Sequence, residues 1–167
     1  MILWFNSFSQ LDFEALMSVY KETNELMGGT LYSQESAMMQ VQLAERDFAD
    51  YLRHTFFQQD AAAYCILAEN GSYISAARIE KFEDGYLLSA LETRPDCRRK
   101  GYGKCLLNAL VSQCVSDDKV PIYSHVGNRN RASMALHLQC GFRVLKESAR
   151  YLDGSVRTDS KTLIYEK

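Results

Sequence analysis

The stretch Arg98-Arg99-Lys100-Gly101-Tyr102-Gly103 stands between an apolar, strand-like run (Tyr86 to Thr93) and an apolar, helix-like run (Lys104 to Val115). Its two glycines can take positive φ values and carry no Cβ, so backbone N–H groups can close around an oxygen-rich anion. The positive end of the following helix dipole points at the same place. The pattern therefore predicts a diphosphate-binding loop.

Two better-known phosphate loops do not fit these residues. A dinucleotide fingerprint requires a third glycine where Leu106 stands. A Walker loop requires glycine at Arg98 and serine or threonine at Cys105. Three fixed positions of this kind occur by chance roughly once in 25 chains of this length, so the loop needs support from the elements around it.

Length and charge are typical of one folded domain. The chain has 167 residues and a formal net charge of −2. A general nucleic-acid binder needs a clustered basic excess, which this near-neutral balance argues against. We therefore predict a single domain over residues 1–167 that has no nucleic-acid partner.

Targeting and metal-binding signals are absent from the sequence. No apolar run is long enough to cross a bilayer, and Met1 to Phe5 lacks the basic start and long apolar region of a signal peptide. The five cysteines show no CxxC or Cys/His ligand spacing, which favours reduced thiols over disulfides or a metal site. We expect a cytoplasmic protein without a metal or a membrane partner. Whether it forms a homodimer is open, because nothing distinguishes an interface strand from an ordinary exposed edge.

Apolar residues at helical spacing predict about four helices. Gly28 and Gly29 interrupt the pattern, so Asn24 to Ser36 is predicted as a loop. Ser9 or Asp12 is a suitable cap for the helix before this loop. The predicted helices cover Phe13 to Tyr20, Val41 to Leu52, Lys104 to Val115 and Asn130 to Cys140.

The remaining segments have the pattern of strands. Asp84-Gly85 is a strong hairpin signal, and a second hairpin is predicted around Asp153-Gly154-Ser155. The strands on either side of the phosphate loop are joined through a helix, which predicts that they run parallel. These elements predict an α+β fold with a mixed, mostly antiparallel sheet of about seven strands. The predicted strands are Ile2 to Asn6, Ala63 to Ala68, Tyr73 to Phe82, Tyr86 to Thr93, Pro121 to Val126, Phe142 to Tyr151 and Arg157 to Tyr165.

Two blocks of sequence lie on either side of the predicted helix that follows the phosphate loop. They are L-E-T-R-P-D-C-R-R-K-G-Y-G (Leu91–Gly103) and N-R-A-S-M-A-L-H-L-Q-C-G-F (Asn130–Phe142). Together they resemble the acetyl-CoA-binding motif and the following motif of the GNAT superfamily of N-acyltransferases. The order of strands and helices agrees from Ala63 onward, and the first helices agree in outline. The resemblance implies a GNAT-like fold and N-acetyl transfer with acetyl-CoA as the acyl donor.

The resemblance also implies how acetyl-CoA is bound. The fourth and fifth strands, which end near Thr93 and Val126, would splay apart and leave backbone groups for the pantetheine arm. Leu91 and Thr93 would bind this arm through main-chain atoms. Asn130 would hydrogen-bond it from the far side, although a helix cap is an equally good reading of this residue. The diphosphate would be held by Arg98, Arg99, Lys100, Gly101, Tyr102, Gly103 and Lys104.

Direct attack of a free amine on the thioester, with no covalent enzyme intermediate, suits this layout. Deprotonating an alkyl amine of pKa about 10.4 at pH 7 costs about 4.6 kcal/mol. Departure of the thiol as an unprotonated thiolate, with a pKa of about 8.5, costs only about 2 kcal/mol at pH 7. A base, or a water chain that acts as one, therefore matters more than an acid.

Glu92 is the first candidate for this base, because it is a carboxylate at the end of an otherwise apolar strand. The alternative is an ion pair with Arg78. The two residues lie diagonal to each other if Phe82 faces Tyr86 across the hairpin. Alternation points Glu92 to the opposite face from the residues on either side of it.

Three further side chains are candidates for moving protons. His125 and Tyr123 lie on the strand across the predicted splay and can relay a proton through water. In many family members a tyrosine protonates the leaving thiolate from the position that His137 holds here, and histidine also occurs there in some members. His137 is therefore a candidate acid, with packing under the cofactor as the alternative.

The acceptor is the least determined part of the prediction. In this family the first two helices and the loop between them usually form the acceptor pocket. That region contains Glu22, Glu25, Tyr32, Gln34 and Glu35, whose carboxylates can attract a cationic amine or simply face solvent. We favour acetylation of a small-molecule amine. A protein-directed N-acetyltransferase and a CoA-binding sensor without chemistry are the alternatives.

Overall fold

A mixed sheet organises the protein. The computed structural model describes residues 1–117 and 120–166, with side chains given outside residues 115–117. The strands are β1 (Ile2–Phe5), β2 (Ala63–Glu69), β3 (Ser72–Phe82), β4 (Gly85–Thr93), β5 (Ile122–Gly127), β6 (Arg143–Lys146), β7 (Ala149–Arg150), β8 (Val156–Arg157) and β9 (Ser160–Tyr165). The helices are α1 (Phe13–Val19), α2 (Lys21–Leu31), α3 (Ala37–His54), α4 (Tyr102–Asp117) and α5 (Arg131–Gln139), with single 3₁₀ turns at Phe8–Gln10, Phe56–Gln58 and Pro95–Cys97.

The strand order confirms the predicted α+β class. Within the described residues, seven strands form one sheet in the order β1-β2-β3-β4-β5-β9-β6. All neighbours are antiparallel except β4 and β5, which run parallel. Parallel strands need a crossover, and α4 supplies it. The predicted C-terminal hairpin divides in two: β9 pairs with β6, while β7 and β8 form a separate ribbon.

Helices cover both faces of the sheet. On one face α4 packs Leu106, Leu107 and Leu110 against β2, β3 and β4. On the other face α1 and α3 bury Leu16 and Leu52 in an aromatic-rich core. Strand β2 is buried on both sides, as its continuous apolar sequence requires. Asp12 is the cap of α1, where its side chain accepts from the Ala15 N–H at 3.0 Å.

The predicted loop between residues 24 and 36 is wrong for most of its length, because α2 extends to Leu31. A Cβ on Gly28 would lie 2.4 Å from the carbonyl oxygen of Gln40 on α3. The glycine therefore permits close helix packing and does not break the helix. The chain accordingly has five α-helices within its described residues. Ser36 begins α3 and caps it by accepting from the Met39 N–H.

The two glycines of α2 should respond in opposite ways to alanine. Gly28→Ala is expected to lower the free energy of unfolding by about 1–3 kcal/mol, because its Cβ overlaps the backbone of α3. Gly29→Ala would meet only Gln40 Oε1, at 3.7 Å, and should raise the free energy of unfolding by about 0.5–1 kcal/mol. Denaturant unfolding of both variants measures this. Equal effects would contradict the packing explanation.

Strands β4 and β5 diverge where the chain approaches the phosphate loop. Their pairing ends at Leu88 and Ser124, although β4 continues to Thr93 and β5 to Gly127. A bulge lies in the same part of β4, where two residues oppose the single residue Ala77 of β3. Within this bulge Ala90 has a positive φ of 50°. Bulges redirect strands beside functional sites, and this one accompanies the predicted splay.

Candidate active site

A groove of about 1010 Å³ fills the opening between β4 and β5. Its walls come from the end of β4, the phosphate loop with the start of α4, the middle of β5 and one side of α5. The residues that the sequence predicted for cofactor binding lie along this groove, except Lys100, which is not among its lining residues. The groove is therefore continuous from the loop to the splayed strands.

The backbone of the phosphate loop has the shape that anion binding requires. Arg99 and Gly101 take positive φ values of 61° and 86°, and Arg98, just before them, is extended. The first helical bond of α4 runs from the Cys105 N–H to the Gly101 carbonyl at 3.0 Å, so the N–H groups just before Cys105 have no carbonyl of their own helix to bond. A Cβ on Gly103 would lie 3.2 Å from Thr93 Oγ1. Glycine thus lets the start of α4 close onto the end of β4.

Side chains of the loop bond to neighbouring protein groups. Arg98 donates from Nε to the Thr93 carbonyl at 3.1 Å and from Nη1 to Glu22 on α2 at 2.6 Å. Lys100 Nζ donates to the Asp96 carbonyl at 3.1 Å. The Tyr102 hydroxyl donates to Glu69 at 2.8 Å. These bonds brace the loop.

The end of β4 is fixed by hydroxyl groups. Ser75 Oγ donates to the Glu92 carbonyl at 2.5 Å and lies 3.0 Å from Thr93 Oγ1. Leu91 packs into the core under α4. The Tyr20 hydroxyl on the other face donates to the Ala90 carbonyl at 2.6 Å. The strand that would contact the pantetheine arm is thus held from both faces.

Glu92 points to the α1–α3 face of the sheet. Its Oε1 accepts a 2.6 Å hydrogen bond from the Thr23 hydroxyl of α2. Burial raises the pKa of the Glu92 carboxyl, an effect partly opposed by the Thr23 bond and by the charge of Arg98. Thr23 is not among the predicted site residues, because a loop is predicted from residue 24 and no local pattern links this helix to β4.

The alternative ion pair between Glu92 and Arg78 is not formed. Within the described residues, Arg78 makes no salt bridge, and its Nε and Nη1 are buried without a hydrogen-bond partner. The assumed hairpin register was wrong, since Phe82 pairs with Gly85. The bulge shifts the pairing by one residue, so that beyond it Ala76 pairs with Glu92, as the assumed register also required.

His137 is 1% exposed and bonded through both ring nitrogens. Its Nδ1 lies 2.8 Å from the Ser133 carbonyl, which can only accept, so Nδ1 carries the proton. Its Nε2 therefore accepts from the Ser124 hydroxyl at 3.0 Å. Burial lowers the pKa of His137. This geometry favours the packing alternative, and a role as an acid stays a prediction that requires Nε2 to become protonated.

The two other proton-transfer candidates, His125 and Tyr123, both lie on β5, but only His125 lines the groove. His125 borders the groove between the rings of Phe82 and Tyr151, and burial lowers its pKa. Neither of its ring nitrogens has a hydrogen-bond partner among the described residues. Tyr123 lies on β5 as predicted, but in the part that is still paired with β4: it pairs with Leu87 and donates its hydroxyl to Asp84 at 2.7 Å.

Asn130 caps α5, since its Oδ1 accepts from the Ser133 N–H at 3.0 Å. The same residue lines the groove. Its side-chain amide nitrogen is a donor that the cap does not use. The cap is therefore compatible with the predicted contact to the pantetheine arm.

A second pocket of about 290 Å³ lies between α2, α3 and the sheet. Thr23, Ala90 and Glu92 line both this pocket and the groove, so the two cavities share a border. The predicted acceptor residues Glu22, Glu25, Tyr32, Gln34 and Glu35 do not line it. Its lining residues are Tyr20, Thr23, Asn24, Met27, Leu31, Ala44, Asp47, Phe48, Arg78, Ala90 and Glu92.

Metal-ligand clusters and membrane-spanning helices are both absent from the described part of the chain. Among residues 1–117 and 120–166, no group of three or more His, Cys, Asp or Glu side chains is placed to hold a metal ion. No helix in these ranges is long and apolar enough to span a membrane.

Comparisons with known proteins agree with this geometry. The model of the acetyltransferase (GNAT) family matches residues 30–142, which is more than half of the chain. The PaiA N-acetyltransferase from Thermoplasma acidophilum in complex with coenzyme A is similar at 15% identity and a TM-score of 0.65, over 100% of this chain and 99% of that one. An IAA acetyltransferase from Bacillus cereus gives 17% identity and a TM-score of 0.64, with the same coverage.

A third similar structure is the N-acetyltransferase PseH from Campylobacter jejuni in complex with acetyl coenzyme A. It gives 14% identity and a TM-score of 0.61, over 100% of this chain and 99% of that one. At these identities the likeness establishes the fold. No curated protein matches the sequence.

Proposed function

Because the chain belongs to the GNAT family of acetyltransferases, whose acyl donor is acetyl-CoA, we propose that it transfers an acetyl group to the primary amine of a small molecule. The observation that carries this proposal is the position of Glu92. Glu92 lines both the large groove and the smaller second pocket. A base at this border can reach an amine in the second pocket beside a thioester in the groove.

Acetyl-CoA would lie along the groove from the phosphate loop to the splay. Amides at the start of α4 would receive the diphosphate, where the helix dipole favours negative charge. The unpaired edge of β4 at Leu91 and Thr93 would pair with the pantetheine amides, as an added strand does. The spare amide of Asn130 would bond the arm from α5.

In the reaction, the amine nitrogen attacks the thioester carbonyl, a C–N bond forms and the C–S bond breaks. Glu92 accepts the proton from the amine, and the departing thiolate takes a proton to leave as free CoA. Burial raises the pKa of Glu92, and a higher pKa makes its carboxylate a stronger base. His125 and His137 are candidates for returning the proton to sulfur. His137 can do so only after Ser124 releases its Nε2 and that nitrogen gains a proton.

The size of the second pocket favours a small acceptor over a protein. At about 290 Å³ it is near the lower limit of cavities that hold small ligands. An acceptor that is the terminus of a protein chain would need a long open groove. The sensor alternative loses support because Glu92 is not bound to Arg78 and instead stands beside the groove.

The test is acetyl transfer itself. Purified protein is incubated with acetyl-CoA and a panel of small amines and short peptides, free CoA is measured by thiol titration, and products are weighed by mass spectrometry. We expect CoA release above background hydrolysis for at least one small amine, with a product about 42 Da heavier, the mass of an added acetyl group less one hydrogen. Acetylation of peptides alone would favour the protein-directed alternative. Binding of acetyl-CoA without release would favour the sensor.

A further inference from the structure

We propose that the acceptor amine also carries a carboxylate and that Arg78 binds this carboxylate in the second pocket. The inference rests on the proposed function and narrows it to amino-carboxylates, such as amino acids with an apolar body. It arises from the guanidinium of Arg78, whose Nε and Nη1 are buried without a hydrogen-bond partner among the described residues.

Arg78 is half-buried, and its guanidinium lies among aromatic rings. Strand β3 directs it to the α1–α3 face, where its guanidinium carbon lies 5.1 Å from the ring centre of Tyr51 and 5.3 Å from that of Phe56. Its Nε and Nη1 are buried and unbonded among the described residues. Aromatic faces partly stabilise the cation, but they fill none of its hydrogen-bond donors.

The carboxylates that line the second pocket, those of Asp47 and Glu92, are bonded to other residues. Asp47 accepts from Tyr32 and from Arg46. Glu92 accepts from Thr23. Glu80 attracts Arg78 along the same strand. In the described part of the chain it forms no salt bridge with Arg78, and its own Oε2 is buried without a hydrogen-bond partner. A buried charge without a bonded partner is costly, and a ligand that supplies an anion would relieve this cost.

The shape of the pocket defines the rest of the ligand. Arg78 and Glu92 both line it, and Tyr20, Met27 and Phe48 form an apolar wall. A ligand with its amine at Glu92, its carboxylate at Arg78 and its apolar part against this wall would satisfy all three features. Arginine binds carboxylates in a planar, two-bonded geometry. A diamine would bring a second cation to the guanidinium and would be repelled.

The first test uses the unmodified protein. Leucine, methionine, 4-aminobutanoate and 6-aminohexanoate are each compared with the amine of the same skeleton that lacks the carboxylate, and with the primary amide. We expect at least one amino-carboxylate to exceed both neutral partners by about tenfold or more in kcat/KM, the size of effect given by a charge-assisted hydrogen bond. Equal or lower values throughout, with CoA released by neutral amines, would overturn the inference and leave the proposed function intact.

The second test uses matched arginine variants. Arg78→Met keeps an unbranched apolar stem against the rings but removes the charge, and the ratio of kcat/KM for carboxylate over neutral amine should fall about tenfold. Arg53→Met is the control, because Arg53 also stacks on a ring, that of Phe8 at 4.3 Å, but lies outside the pocket. The ratio should stay at the parent value in Arg53→Met. An unchanged ratio in Arg78→Met would overturn the inference.

A third measurement separates failure of the inference from failure of the proposed function. The melting temperature of the CoA-bound protein is recorded with and without each amino-carboxylate, which requires no turnover. Stabilisation that is lost in Arg78→Met supports the site even if no amine releases CoA. Equal stabilisation in both proteins, or none in the parent, overturns it. If Arg78→Met does not fold, the comparison of acceptors on the unmodified protein decides.

Discussion

Glu92→Gln is expected to lower kcat by about 100-fold or more while the affinity for acetyl-CoA stays within about twofold, as for loss of a general base. Glutamine keeps the size of the side chain and an oxygen that can accept from the Thr23 hydroxyl. It cannot accept the amine proton, whose removal from an alkyl amine costs about 4.6 kcal/mol at pH 7. Steady-state release of free CoA measures kcat, and calorimetry measures the affinity.

The pH dependence gives this prediction a second readout. Burial raises the pKa of Glu92, so kcat/KM of the parent should rise with pH through a value above the ordinary glutamate pKa of about 4.3. This limb should be missing in Glu92→Gln. Above the folded-state pKa the charged form opposes folding, so the variant should be no less stable than the parent near neutral pH.

Glu25→Gln is the matched control for this experiment. Glu25 is exposed on the neighbouring helix α2 and lies outside both cavities. It should retain the parent kcat and the parent pH profile. A Glu92→Gln variant that keeps more than about a tenth of the parent kcat would assign proton transfer to another group or to a water chain.

Gly101→Val is expected to weaken acetyl-CoA binding by at least about tenfold. Gly101 has a φ of 86°, a conformation that a β-branched residue adopts only under strain. Relief of this strain would rotate the peptide units on either side of Gly101. Because these amides are the predicted diphosphate contacts, the loss should appear in the dissociation constant measured by calorimetry.

Gly154→Val separates this effect from a general loss of stability. Gly154 has a similar φ of 83°, and at both glycines an added Cβ would have no atom within 4 Å. Gly154 lies in the turn between β7 and β8, outside the groove. Both variants should lose a similar amount of unfolding free energy. Only Gly101→Val should lose affinity for acetyl-CoA, and equal affinities would contradict the assignment of the loop.

The parts of the fold that local patterns determine were predictable. The strands from Ala63 to Thr93, the phosphate loop and α5 follow from alternation, turn residues and glycine spacing. The second half of α2 was not predictable, because Gly28 and Gly29 are typical helix breakers. Contact with Gln40, which lies twelve residues after Gly28, makes glycine the required residue there.

The candidate site also has a part that local sequence patterns predict and a part that only the fold determines. The loop residues and Glu92 could be chosen from the sequence, because they are chemically distinctive and lie close to the motif. The environment of Glu92 could not, since it depends on the bulge at Ala90 and on Thr23 from a different element. Likewise, only the fold brings Ser124 to His137 and leaves Arg78 without a bonded partner among the described residues.

Calorimetric titration of the folded protein with acetyl-CoA tests most directly whether the opening between β4 and β5 is a cofactor site. We expect saturable binding of one acetyl-CoA per chain, with CoA competing for the same site. Absence of any association with either compound at millimolar concentration would contradict the assignment of the groove and, with it, the proposed acetyl transfer.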